Sequence, residues 1–128
     1  MILRFFASLA ILVPACLPAQ SQPETKTIDG WRMQDSARVA TAAALISTTD
    51  FDPQGWYAAT VPGTVLTTLV NNGVDPEPLY GENMRAIPES LNKTSYWYRT
   101  TFTVPATDKG RHTWLHFGGI NYSGQIWV

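Results

Sequence analysis

The sequence predicts an all-β domain, an antiparallel β-sandwich that carries one short helix. The clearest observation is period-two alternation of apolar and polar side chains over residues 96–104, which is the pattern of a half-buried strand. Two more apolar segments follow at 112–117 and 123–128, and the short turns between these three segments predict antiparallel pairing. Apolar residues recur at helical spacing in one stretch, 64–72, which predicts a short helix there.

The first strands are predicted before this helix. Large apolar and polar side chains alternate over residues 31–34, which predicts a strand at the start of the fold. The small apolar stretch 39–46 has weak strand character, and 56–61 is predicted as the next strand. Pro62 and Gly63 then end that strand abruptly.

The predicted helix follows Thr64, whose side chain can cap the first turn. Gly73 stands where a left-handed helix terminator is expected. The next stretch, 74–94, is rich in proline and polar residues and predicts a long loop with at most a single helical turn near 84–87. Because long ordered loops in compact domains are usually functional, this loop is where we expect binding residues.

Composition argues against a nucleic-acid partner. The chain has 128 residues, enough for one domain, and its net charge of −1 comes from 9 basic and 10 acidic residues spread along the sequence. No stripe of Lys or Arg exists to neutralise phosphates, so no nucleic-acid partner is expected. The five tryptophans fit either sheet packing or stacking against the apolar faces of sugars, and both interpretations stay open.

The first 21 residues have the layout of a secretory signal peptide. Arg4 precedes an apolar run over 5–13, and small residues follow. This run is too short to span a bilayer comfortably. We expect cleavage after Ala19 or Ser21 and a secreted or periplasmic protein.

An alternative interpretation concerns Cys16, which would become a lipidated first residue if residues 13–16 formed a lipoprotein box. Membrane attachment is expected only in that case. In either case no cysteine pair remains for a disulfide or a thiolate metal site in a monomer. We expect a flexible lead-in over 22–29 and the folded domain over 30–128.

Five segments resemble, in order and spacing, the amino-terminal sugar-binding domain of glycoside hydrolase family 2. They are GWRMQDSARVA, GWYAATVPGTVLTTLVNNGV, PLYGENMRAIPESL, SYWYRTTFTVP and HTWLHFGGINYSGQIWV. The VPGTVLTTLVNNGV and PLYGEN portions are most similar to β-mannosidases and exo-β-D-glucosaminidases. The resemblance implies a jelly-roll sandwich of the galactose-binding type, followed in family members by immunoglobulin-like modules and a TIM barrel that carries the chemistry.

The resemblance also implies that this chain holds no catalytic residue. Retaining glycosidases need two carboxyl groups about 5–5.5 Å apart. In the family both are glutamates on the barrel, and no segment here matches either motif. Glu82 lies in the predicted functional loop, where a solvated carboxylate is the expected role. We expect no cofactor.

Asn83 is the strongest candidate for contact with substrate. The resemblance implies that the asparagine of a tyrosine-glycine-x-asparagine loop reaches across to the barrel and hydrogen-bonds the sugar, and an amide can donate and accept. Its alternative role is that of a turn former. Tyr80 and Arg85 flank it and are predicted either to line the pocket or to fix the loop.

Two other sets of residues are given structural interpretations. His112 and His116 would share one face of a predicted strand, and no third ligand is near, so no metal site is expected. Arg99 beside Trp97 predicts a cation–π contact or a buried ion pair.

The sequence therefore predicts the amino-terminal part of an exported, exo-acting glycosidase that supplies part of the substrate-pocket wall. Its partners would be the carbohydrate and the missing downstream immunoglobulin-like and TIM-barrel domains, and the isolated chain is expected to be inactive. Val128 lies inside a predicted strand, and family members continue there into an Asn-Gly turn, so we expect a domain truncated at its carboxyl end. The alternative hypothesis is a stand-alone carbohydrate-binding module.

Overall fold

A computed structural model describes residues 25–128 of the chain. The predicted signal peptide and the alternative processing at Cys16 lie outside the described residues. The lead-in that is described is attached to the fold, because the Ile28 carbonyl accepts the indole N–H of Trp31 at 2.7 Å and the Asp29 carbonyl accepts the hydroxyl of Thr100 at 2.7 Å. No helix among residues 25–128 is long and apolar enough to cross a membrane.

The sheet has three antiparallel strands in the order β2-β1-β3, and each coincides with a predicted strand. β1 spans Arg32–Asp35, β2 spans Tyr57–Ala58 and β3 spans Tyr96–Arg99. β2 and β3 are shorter than the sequence predicts. Among the described residues there is one sheet layer, so the second layer of the predicted sandwich is not part of them.

The central strand, β1, is hydrogen-bonded on both sides. Arg32 lies opposite Ala58 of β2 and opposite Arg99 of β3, which fixes the register of both pairs. Met33, the next residue, is 0 % exposed. Because side chains alternate between the two faces of a strand, this register directs Met33 to the covered face of the sheet.

The predicted helix is confirmed as α2, which spans Val65–Asn71. The Thr64 hydroxyl oxygen accepts the Thr67 backbone N–H at 3.0 Å, which satisfies one of the free donors in the first turn. Gly73 has a φ of +70°, the left-handed conformation that ends helices and that glycine adopts without steric cost.

The stretch predicted to have weak strand character, 39–46, contains a short helix instead. This helix, α1, spans Ala43–Ile46, and the Ala42 carbonyl accepts the backbone N–H groups of Leu45 and Ile46 at 2.9 and 3.1 Å. Alanine has the highest helix propensity of all residues, and three alanines start this turn. Propensity and the burial of Ile46 favour a helix, and the strand prediction is wrong here.

The buried core lies where the sheet meets the two helices. Its members come from β1, α1 and α2, and they are Met33, Ile46, Thr68 and Leu69. Of these, Thr68 is polar and fully buried, but its hydroxyl oxygen accepts the Thr60 backbone N–H at 3.0 Å. A buried polar group with a partner avoids the desolvation cost of an unpaired one.

The carboxyl end of α2 covers the outer edge of β2. The Asn72 side chain donates to the Ala58 carbonyl at 2.9 Å and accepts the Ala58 backbone N–H at 3.3 Å, as a neighbouring strand would. The Asn71 amide donates to the Thr60 hydroxyl oxygen at 2.7 Å. These side chains satisfy an edge that would otherwise be free and hold α2 in place.

Short 3-10 turns occur at four places in the described chain. They span Ser36–Arg38, Asn83–Ala86, Glu89–Asn92 and Ala106–Asp108. The second lies where the sequence predicts a helical turn, near 84–87. The third, Glu89–Asn92, lies in the same loop, so the prediction of at most a single turn there is wrong.

Arg99 has the structural role that the sequence predicts, but its partners differ. Its Nε donates to the Ile46 carbonyl at 3.0 Å and its Nη2 to the Thr48 carbonyl at 2.9 Å. Its guanidinium carbon lies 5.5 Å from the centre of the Phe51 ring, so the cation–π partner is Phe51 and not Trp97. The contacts attach the end of α1 to β3.

The strands predicted beyond residue 100 are not formed, and these predictions are wrong. Residues 101–104, 112–117 and 123–128 have no strand structure, and every residue from 109 to 128 is exposed. Trp114 and Tyr122 are 88 % and 97 % exposed. A strand needs a neighbour for its backbone groups, and no described segment supplies one there. Alternating side chains predict a strand but do not provide its partner.

Candidate functional site

The long loop between α2 and β3 is anchored at both ends. At its start, the Val74 backbone N–H donates to the Leu69 carbonyl at 2.9 Å, which closes the helix end. Just past its other end, the Ser95 carbonyl accepts the backbone N–H of Ser36, which directly follows β1, at 3.0 Å. The tip of the loop, residues 77–86, therefore projects from a fixed base, and it contains all the predicted site residues.

The tip of the loop is closed by hydrogen bonds within itself. The Glu77 carbonyl accepts both the Tyr80 backbone N–H at 3.2 Å and the Asn83 side-chain amide at 3.0 Å. The Asn83 backbone N–H donates to the Tyr80 carbonyl at 3.2 Å. Gly81, with φ of +57°, makes the turn between these two residues. Tyr80 and Asn83 are thus held together.

The side chains at the tip differ in exposure. Tyr80 is 77 % exposed, whereas Asn83 is half-buried against its own loop. Arg85 does not join them, because its Nη1 contacts the Glu82 carboxylate at 3.1 Å, with both side chains about four-fifths exposed. Such a surface ion pair stabilises little. The loop tip therefore carries an exposed aromatic ring at Tyr80 and a half-buried amide at Asn83, while Glu82 and Arg85 pair with each other on the surface.

A shallow groove of about 130 Å³ lies between the outer face of α2 and the base of the loop tip. It is lined by Leu66, Thr67, Val70, Asn71, Glu77 and Pro78. Sequence reasoning did not predict this groove. Helical spacing places Leu66 and Val70 on one face of α2, but the spacing does not show that the loop folds back beside them.

Charged residues of the loop and of the sheet both affect the pKa of Tyr96, the first residue of β3. Burial raises the pKa of Tyr96 on β3 above its ordinary value of 10.0, and the nearby carboxylates of Asp35 and Asp75 raise it further, while Arg38 opposes them. Asp75 belongs to the start of the loop, so the loop base lies near the first residue of β3.

His112 and His116 lie in the exposed segment 109–128 and do not share a strand face. Within the part of the chain that the structure describes, no three His, Cys, Asp or Glu side chains are grouped so that they could hold a metal ion.

Comparison with known proteins assigns the family. Residues 31–128 match the family described as glycosyl hydrolase 2 galactose-binding domain-like. The chain belongs to this family. The assignment confirms the resemblance on which the sequence analysis rests and the predicted fold class, a galactose-binding-like all-β domain.

The relatives of this galactose-binding-like domain include glycosidases. The chain is 33% identical over 104 residues to an exo-beta-D-glucosaminidase of Streptomyces avermitilis, with 81% of the chain and 11% of that relative covered. It is 32% identical over 118 residues to the exo-beta-D-glucosaminidase of Amycolatopsis orientalis, covering 92% and 11%. A mannosylglycoprotein endo-beta-mannosidase of Lilium longiflorum is 31% identical over 107 residues, covering 77% and 11%.

The chain thus spans about a ninth of the length of these curated relatives. No solved structure matches it. The galactose-binding-like domain has glycosidase homologues, while the roles of Tyr80, Asn83 and Arg85 stay predictions.

Proposed function

We propose that this galactose-binding-like domain forms part of the substrate-pocket wall of an exported, exo-acting β-glycosidase. The observation that carries the proposal is the loop tip closed by its own hydrogen bonds, in which the backbones of Tyr80 and Asn83 are bonded and the Tyr80 side chain is exposed. A downstream catalytic barrel, joined through immunoglobulin-like modules, supplies the two carboxyl groups that cut the bond. The substrate class is a β-linked glucosaminide or mannoside, which the names of the relatives support.

The chemistry of the loop suits a sugar. An exposed aromatic ring packs on the apolar face of a pyranose, and an amide hydrogen-bonds its hydroxyl groups. The three bonds between Glu77, Tyr80 and Asn83 order the tip before any ligand arrives. Preorganisation of this kind lowers the entropy cost of binding.

The carboxylates of the loop have other partners. Glu82 is paired with Arg85 on the surface, and the Glu77 carboxylate accepts the Leu79 backbone N–H at 3.4 Å. Both carboxylates are thus engaged by groups of the loop itself. This supports a domain that binds and a separate domain that reacts.

The proposal is tested on the full-length enzyme that carries this chain. Asn83→Ala should lower kcat/KM for aryl β-glucosaminides or β-mannosides by about 10- to 100-fold, the effect of leaving a polar group of the substrate unpaired. Asn92→Ala is the matched control, because Asn92 is exposed and lies outside the loop tip. The 128-residue chain alone should show no turnover above a buffer blank.

Two results would contradict the proposal. One is clear hydrolysis by the 128-residue chain itself, which would place the chemistry within it. The other is an unchanged kcat/KM in Asn83→Ala, which would remove the loop tip from the pocket. Reading the gene beyond the codon for Val128 is the first step, since the proposal requires a continuing frame with two barrel glutamates.

A second candidate function, a carbohydrate-binding module that acts without a catalytic domain, is favoured by Trp114. Its side chain is 88 % exposed, far from the loop tip in sequence, and is free to stack on a sugar. Calorimetric titration of the chain with mannose, glucosamine and manno- or chito-oligosaccharides separates the two functions. Saturable binding that Trp114→Ala abolishes would favour the module.

A further inference from the structure

Asn72 is followed by a glycine, and no other asparagine of the 128-residue sequence is. Asparagine is one of the thermolabile residues of proteins, because its side-chain amide can be lost to hydrolysis. The loss is fastest before glycine, since no side chain hinders the backbone nitrogen that attacks the side-chain carbonyl carbon. Asn72-Gly73 is therefore the pair at which this sequence is most prone to spontaneous deamidation, and it lies where α2 meets the edge of β2.

The reaction needs water and no enzyme. The Gly73 nitrogen attacks the side-chain carbonyl carbon of Asn72, which closes a five-membered imide ring and breaks the bond from that carbon to Nδ2. Nδ2 leaves as ammonia and takes the proton of the Gly73 nitrogen with it. Water then adds to one of the two ring carbonyls and opens the ring, which gives aspartate or isoaspartate. One water is consumed, one ammonia is released, and residue 72 gains a negative charge.

The fold engages both nitrogens that take part in this reaction. The Asn72 Nδ2 uses both of its hydrogens, because it donates to the Ala58 carbonyl at 2.9 Å and to the Thr68 carbonyl at 2.7 Å. The Asn72 Oδ1 accepts the Ala58 backbone N–H at 3.3 Å. The Gly73 nitrogen donates to the Val70 carbonyl at 2.9 Å. The attacking group and the leaving group are both held, so the reaction requires the last turn of α2 to open.

The product of the reaction cannot restore these contacts. A carboxylate only accepts hydrogen bonds, and the Ala58 and Thr68 carbonyl oxygens that receive Nδ2 are acceptors as well. A charged oxygen at this place would face a second acceptor, so the side chain must turn away into water. The backbone N–H and carbonyl of Ala58 then lose their partner on the outer edge of β2, and the end of α2 loses its attachment to the sheet.

We propose that Asn72-Gly73 is a deamidation site that the folded chain protects by its edge cap, the three hydrogen bonds between the Asn72 side chain and the backbones of Ala58 and Thr68. Opening of the last turn of α2 frees both nitrogens to react. The carboxylate that forms prevents the edge cap from closing again, so each event leaves the edge of β2 permanently open. The same turn is closed by the bond from the Val74 N–H to the Leu69 carbonyl, so its opening also loosens the start of the long loop.

The first test compares the rate of deamidation of Asn72 in the folded chain and in the chain unfolded by guanidinium chloride, at the same mildly alkaline pH. Mass spectrometry of proteolytic peptides identifies the converted residue. Because the edge cap must break first, conversion should be about 10- to 100-fold slower in the folded chain. In the unfolded chain Asn72 should react faster than the other asparagines, none of which precedes glycine. Equal rates in the two states, or no conversion of Asn72 in the unfolded chain, would overturn the proposal.

The second test makes one product directly. Asn72→Asp should lower the melting temperature of the chain by about 10 °C, because the hydrogen bonds of the edge cap are lost. Asn71→Asp is the matched control, since it places the same charge in the same turn. The Asn71 amide donates at 2.7 Å to the Thr60 hydroxyl, and a hydroxyl can donate to a carboxylate in return. Asn71→Asp should therefore lower the melting temperature by less than about 4 °C.

The deamidated wild-type chain provides a check that needs no variant. Ion exchange separates it from the unreacted chain by its additional negative charge, and it should melt at least as far below the unreacted chain as Asn72→Asp does. If Asn72→Asp does not fold, this fraction decides the question in its place. A deamidated fraction as stable as the unreacted chain, or an Asn72→Asp variant that melts no lower than Asn71→Asp, would show that the carboxylate leaves the edge of β2 closed, and the proposal would be wrong.

Discussion

Residues 32–99 and residues 101–128 have similar apolar content in sequence but differ in structure. The first region contains all three strands and the buried residues Met33, Ile46 and Leu69. The second contains no strand and no buried residue, and large side chains such as Trp114 are open to solvent. Both were predicted to contain strands, so the pattern of side chains is not what separates them.

The difference is the supply of backbone partners. β1 has a strand on each side, and Asn72 takes the place of a further strand along β2. Asn72 bonds both the backbone N–H and the carbonyl of Ala58, so these two groups at the sheet edge are not left unpaired. Residues 112–117 and 123–128 have no neighbour among the described residues to provide this. An apolar pattern becomes a strand only where hydrogen-bond partners accompany it.

The largest difference in stability is expected when one apolar side chain is removed from each region. Met33→Ala should lower the free energy of unfolding of the chain by about 2–5 kcal/mol, because Met33 is 0 % exposed and the cavity cannot fully collapse. Trp114→Ala should change it by less than about 0.5 kcal/mol, because that residue is 88 % exposed. Urea denaturation followed by fluorescence measures both. Equal losses would show that the 101–128 region also packs.

A smaller difference in the free energy of unfolding is expected when one arginine of each region is replaced by lysine. Arg99→Lys should lower the free energy of unfolding by about 1–2 kcal/mol, since a lysine cannot reach the Ile46 and Thr48 carbonyls in one planar fork. The matched variant is Arg111→Lys, whose arginine contacts Asp108 at 3.3 Å on the surface. It should change stability by less than about 0.5 kcal/mol. A loss in Arg111→Lys as large as in Arg99→Lys would contradict the comparison.

The elements that the sequence predicted well are those whose signals are local. Thr64 and Gly73 mark the two ends of α2 within nine positions of each other, and both act as predicted. Alternation located β1 and β3, and β2 lies within the predicted strand 56–61, but the ends of the strands were not predicted. Arg99 shows the limit. The carbonyls that it contacts lie 53 and 51 positions away, and its aromatic partner is Phe51 rather than the predicted Trp97.

The sequence predicts that the candidate site lies on a loop, but not how the side chains of that loop are arranged. Prolines, Gly81 and the helical turn after it locate a long ordered loop, and the family resemblance singles out Asn83. The bond from Asn83 to the Glu77 carbonyl depends on the path of the chain between them, which no spacing rule specifies. The groove beside α2 depends in the same way on where Pro78 falls against the helix.

The smallest predicted effect concerns pH and the tyrosines of β3. Burial raises the pKa of Tyr98 above its ordinary value of 10.0, Tyr96 adds to the rise, and hydrogen bonding to Thr68 opposes it. Above about pH 10 the unfolded chain therefore loses this proton before the folded chain does. The folded state then binds more protons than the unfolded one, so the free energy of unfolding must fall as pH rises.

Tyr98→Phe isolates this contribution. The variant cannot ionise at position 98, so its free energy of unfolding should fall less steeply than that of the wild type between about pH 9 and about pH 11. The Tyr96 hydroxyl, whose pKa is also raised, keeps the slope from vanishing. Comparing slopes rather than absolute stabilities removes the constant effect of losing the contact with Thr68. Identical slopes would mean that Tyr98 is as solvated in the folded chain as in the unfolded one, and β3 would then belong with the exposed region rather than with the core.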